Sequence, residues 1–112
     1  MLAGAVGAGH YVVFVALKDV WLEHVSFRWG TAEASNAAVW LKKIPEGSPM
    51  TAVGTILHTA QATDGAADTV AEVRGDVENN HVKKGELVVL QKSGGGALAD
   101  LTTTMTFTER KQ

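Results

Sequence analysis

The end of the chain constrains the fold most. Between Leu101 and Thr108, the residues Leu101, Thr103, Met105 and Phe107 alternate with Thr102, Thr104, Thr106 and Thr108. Side chains of a strand point to opposite faces in turn, so this period of two makes one largely apolar face and one face of threonine alone. Threonine is stiff at χ1, favours extended backbone and tolerates water. The segment reads as a half-buried strand, which needs a second layer over its apolar face.

Other segments follow the same logic. Tyr11 to Ala16 (YVVFVA) is β-branched or aromatic almost throughout, and its continuous apolarity predicts a strand buried on both faces. In Val20 to Trp29, Val25, Phe27 and Trp29 share one face, and His24, Ser26 and Arg28 the other. Trp21 falls on the inner parity. In Ala37 to Ile44, Val39 and Leu41 are expected inward, Trp40 and Lys42 outward. Val88 and Leu90 point inward from Glu86 to Lys92. Thr51 to Thr59 and the residues around Val70 to Val73 read as further strands. Gly30 to Asn36, Pro45 to Pro49, Asn79-Asn80 and Ser93 to Gly96 are turns or loops. About seven or eight short strands punctuated in this way predict an all-β antiparallel sandwich, jelly-roll-like, with one domain over residues 10–112.

A chain of 112 residues, 46% hydrophobic and 20% charged, has the balance of a single globular core. It contains no cysteine, so disulfides and thiolate metal sites are excluded. The net charge of -2, with both signs interspersed, does not match a phosphate-neutralising surface. No nucleic-acid partner is expected. Met1 to Leu17 lacks the basic start of a signal peptide and is too short and glycine-rich for a spanning helix, so no membrane association is expected. Met1 to Gly9 (MLAGAVGAG) reads as a flexible apolar arm, free to order on a partner through Met1, Leu2 and Val6.

A search for catalytic chemistry finds little. The histidines, His10, His24, His58 and His81, lack the spacing that sets two imidazoles on one metal. Each is expected to be solvated or hydrogen-bonded. No pair of the twelve carboxylates is nominated as an acid and base. The glycines after Ser93 precede a strand rather than the helix that a phosphate loop requires. No catalytic residue, metal or cofactor is expected, and the chain is not read as an enzyme. Trp21 and Trp29 are assigned to the core. Trp40 beside Lys42 is read as an exposed interface anchor, with the alternative of a strand slipped by one residue, which would bury it. Arg110 joins these as a basic tip.

The order of segments carries a resemblance. HYVVFVA, VSFRWGTA and AVWLKKI, then GAADTVAEVRG and KKGELVVLQKSGGGALADLTTTMTF, together resemble the small jelly-roll decoration, or cement, proteins of tailed bacteriophage capsids. The likeness spans Tyr11 to Phe107. It rests mainly on Val25 to Ala32 and Gly85 to Phe107, with departures at Ala66 to Glu72 and Asp76 to Val82. It implies a virion protein made in the bacterial cytoplasm. It would bind the major capsid protein on the outer shell surface and act as a dimer or trimer. Two other readings fit the residues: a carbohydrate-binding module using Trp21, Trp40 and Tyr11, and a domain of a phage tail or fibre.

Overall fold

Two five-stranded antiparallel sheets pack face to face, and no helix is present among the described residues. The computed structural model describes residues 2–6, 9–30, 38–62, 68, 70–93 and 98–109, with backbone alone at 2–6 and 98–100. Ten strands lie among them: β1 (Leu2–Val6), β2 (Gly9–Val15), β3 (Val20–Arg28), β4 (Ala38–Ile44), β5 (Thr55–Ile56), β6 (Gln61–Ala62), β7 (Ala71–Arg74), β8 (His81–Val82), β9 (Leu87–Lys92) and β10 (Leu98–Thr108). The first sheet runs β1-β10-β3-β7, with β8 also on β3. The second runs β2-β9-β4-β5, with β6 also on β4. The molecule is an all-β sandwich.

The alternating patterns account for the core. Val25, Phe27 and Trp29 of the first sheet bury against Val39, Leu41, Val88 and Leu90 of the second, with Leu22, Leu57, Val82 and Leu101 beside them. Each fully buried side chain of this size contributes about 1.5–3 kcal/mol. Lys43 ties the layers by a different means, its Nζ donating to the His81 carbonyl of β8 at 2.6 Å. The Phe14 and Phe107 rings meet edge to face between the layers, centroids 5.3 Å apart.

Several expectations are corrected. Leu2–Val6 is a strand and not a free arm, because β10 extends past β3 and offers Leu98 to Leu101 an edge on which β1 pairs. Trp21 is not core. Between His24 and Leu22 the pairing with β10 skips Glu23, a β-bulge that flips the parity. Trp21 therefore lies on the other face, stacked on the His81 ring at 4.3 Å. Tyr11 to Ala16 is not buried on both faces. β2 is an outermost strand with a bulge at Val13, leaving Val12 and Val15 at 53% and 52% exposure. The strand expected over Thr51 to Thr59 is reduced to Thr55–Ile56. β7 falls where the residues around Val70 to Val73 read as a strand, whereas two further pairings come from segments of two residues, too short to show a period.

Candidate interaction surface

The outer face of the second sheet is built from three rows that follow from the strand register. His10, Gln91 and Trp40 form the first. Val12, Val89, Lys42 and Ile56 form the second, and Val15, Leu87 and Ile44 the third. An outward face made mostly of apolar residues is unusual, since such positions ordinarily carry polar side chains. The segment after β4 folds back over part of it. Gly54 in that segment has φ +62° and lies so close that a Cβ would meet Ile44 Cδ1 and the Lys43 carbonyl.

This return explains Lys42, expected as an exposed contact. It is on the outward parity but only 1% exposed, and its Nζ donates to the Ala52 carbonyl at 2.6 Å. Burial pushes its pKa below the usual lysine value. Lys42 therefore fastens the loop and offers little to a partner. Trp40 keeps the expected parity and is half-buried. It walls a groove of about 440 Å³ with His10, Lys42, Thr51, Val53, Ile56 and Gln91. Val53 stands 89% exposed at the rim, near Ile56 at 41%. Of the other residues expected at an interface, Leu2 and Val6 pair with Leu101 and Leu98 in the first sheet. Met1 and Arg110 lie outside the described residues. The structure thus does not gather the predicted set into one patch. It sets Trp40 instead beside Val53 and Ile56, which patterning leaves unassigned, and it exposes Val12 and Val15, which patterning expects buried, farther along the same face.

The opposite outer face is polar. Ser26 Oγ donates to Glu72 Oε2 at 3.4 Å, and His24 Nδ1 sits 3.9 Å from the same oxygen. Nucleophilic catalysis requires serine to hand its proton to the histidine. Here both lean on one carboxylate, and His24 Nδ1 has no hydrogen-bond partner among the described residues. Arg28 and Asp68 pair at 3.7 Å beside them. At one end, Asp19 accepts the Lys84 backbone N–H at 2.9 Å and lies 3.3 Å from His81 Nε2; the first of these holds its carboxyl below the usual range. No three His, Asp or Glu side chains converge in metal-binding fashion among the described residues.

The three aromatics considered for sugar stacking lie apart: Trp40 on the outer face of the second sheet, Trp21 on His81, and Tyr11 in a cleft at the side of the sandwich. They do not form one platform. That cleft, about 290 Å³, lies between β2 and β10 and is lined by Tyr11, Val13, Leu90, Leu101, Thr103 and Met105 among others.

Comparison with family models, with curated proteins and with solved structures finds no match for this chain.

Proposed function

We propose that this chain is a non-catalytic structural protein that decorates the outer surface of a tailed-phage capsid and cements neighbouring subunits of the major capsid protein. The observation that carries the reading is the apolar outer face of the second sheet. Val53 and Ile56 remain solvent-accessible beside Trp40 in its groove, and Val12 and Val15 are exposed elsewhere on the same face, where a solitary sandwich would present polar side chains. A large aromatic in a shallow groove with apolar and polar neighbours fits the anatomy of a protein-binding hot spot. The nested pairing of β1 with β10 and β2 with β9 supports the jelly-roll wrapping that the resemblance implies. The separation of Tyr11, Trp21 and Trp40 weighs against the carbohydrate-binding reading.

The test is co-sedimentation with expanded, undecorated shells of the phage that encodes the chain. Saturable binding in fixed ratio to capsid subunits is expected. Trp40→Ala should weaken that binding by about thirtyfold, the effect of a 2 kcal/mol hot spot, while leaving most of the thermal stability. Absence of co-sedimentation removes the cement reading. A Trp40→Ala protein that binds shells as well as wild type moves the anchor elsewhere.

A further inference from the structure

The two long sides of the sandwich are finished differently. On one side, β5, β6 and β8 have two residues each, and β7 carries Glu72 and Arg74. Short and charged strands are the ordinary protection against edge-to-edge pairing. The other side lacks this protection. There the outermost strand of the second sheet is β2, seven residues without Asp, Glu, Lys or Arg. Next to it in the first sheet, β1 pairs with β10 only over Leu98 to Leu101, so Thr102 to Thr108 has no described partner strand on that side. That stretch is uncharged as well. The 290 Å³ cleft opens between these two edges, and Thr103 Oγ1 on its lining is buried without a hydrogen-bond partner among the described residues.

We propose that this open side is a self-association face, on which β2 pairs antiparallel with β2 of a second copy across a two-fold axis near Val12. The inference deepens the assembly reading above by naming the side on which copies meet. Three observations select a second copy as the occupant. An uncharged strand meets its own copy without setting like charges opposite each other, whereas a charged partner finds no counter-charge along it. Val12 is the central residue of β2 and half-exposed, so a two-fold axis there sets it against itself. The protected far side stops the association at two copies, where two open edges would propagate into a fibre.

Sedimentation equilibrium of the full chain from micromolar to millimolar concentration tests this. The wild type should reach twice the 11.8 kDa of one chain. Val12→Lys and Val12→Asp each place like charges opposite one another and should sediment at the mass of one chain. An equal mixture of the two should restore dimers. Val77→Lys, at a 62% exposed site on the protected side, should dimerise like wild type. A wild type that stays at 11.8 kDa throughout overturns the proposal, as do Val12 variants that dimerise unimpaired. Amide exchange gives a measure free of mutation: Gly9 to Val15 should exchange more slowly as concentration rises, and concentration-independent exchange refutes the pairing. The two readings fail separately. Dimers that ignore capsid shells remove only the cement reading, and shell-binding monomers remove only this one.

Discussion

Replacing His58 by leucine should reveal how a buried imidazole completes an interrupted ladder. β6 pairs with β4 at Ala38 and Val39, and β5 resumes at Lys42 and Lys43. Between them the Leu41 N–H is taken by His58 Nε2 at 2.9 Å. Since Nε2 accepts, the ring proton sits on Nδ1, which donates to the Thr59 carbonyl at 2.7 Å. The residue is 3% exposed, and its ring lies against Phe27. His58→Leu leaves the interior Leu41 N–H without its acceptor, a loss of about 1–3 kcal/mol. The Thr59 carbonyl adjoins an exposed residue and can turn to water. A net destabilisation of about 2 kcal/mol at pH 8 is expected, within the usual range for one orphaned buried group.

The pH dependence makes the argument decisive. Burial pushes the His58 pKa below its ordinary value of 6.5, against a smaller opposing effect of the Thr59 carbonyl. As pH falls below 6.5 the unfolded chain takes up this proton before the folded one. The unfolded state then binds more protons, so stability falls with pH, by at most about 1.4 kcal/mol per unit for one proton. His58→Leu lacks that loss. Urea titrations followed by tryptophan fluorescence at pH 8, 7, 6 and 5 should therefore show the gap between the two proteins closing, by up to about 2 kcal/mol over the lower range. His10, His24 and His81 are common to both proteins and cancel in the difference. A gap that stays constant from pH 8 to pH 5 would refute the assignment of Nε2 as the acceptor of the Leu41 N–H.

Three other substitutions probe separate parts of the fold. Lys42→Met should cost under about 1 kcal/mol at pH 7, because the desolvated ammonium gains little from one carbonyl. Since burial lowers the Lys42 pKa, the unfolded chain binds the extra proton as pH approaches 10.5. Wild type should then gain on Lys42→Met between pH 8 and 10 in denaturant titrations, and a flat difference would count against the burial. Gly54→Ala should cost about 1–3 kcal/mol, combining positive φ with a Cβ set 2.6 Å from Ile44 Cδ1 and from the Lys43 oxygen. Gly47→Ala, with φ +93° in open space, should cost less in the same melts, and the reverse order would show that the loop yields. Phe14→Leu and Phe107→Leu should couple by about 0.5–1.5 kcal/mol in a double-mutant cycle, whereas simple additivity would dismiss the edge-to-face contact.

What could be read in advance was the parity of strands paired on both sides. Val25, Phe27, Trp29, Val39, Leu41, Val88 and Leu90 all lie inside, as their alternation predicts. A period of two is a property of the strand itself and needs no knowledge of its partner. Bulges are different. The extra residues Glu23 and Val13 exist only relative to β10 and β9, and nothing in VWLEHV or YVVFV marks them. Each reverses the parity upstream, which is why the alternation alone places Trp21 in the core. Edge position is equally invisible, so the continuous apolarity of β2 reads as burial when it reflects an outermost strand.

β4 shows where local pattern stops deciding. Trp40, Lys42 and Ile44 share one parity and all lie on the outer face, as the alternation predicts for Trp40 and Lys42. Their fates nonetheless diverge: Trp40 walls a groove, Lys42 is a buried cation on a loop carbonyl, and Ile44 is fully buried. The difference comes from the segment after Pro45, whose glycine at position 54 lets the chain return closely enough to cover two of the three. The strand therefore determines which face a residue takes, and the next loop determines whether that face meets water. Where the loop stops short, Trp40, Val53 and Ile56 stay accessible, and the proposed function rests on this uncovered remainder. Lengthening the segment until it also covered Trp40 should abolish the proposed capsid binding while raising stability, because the same apolar area would be buried within the chain.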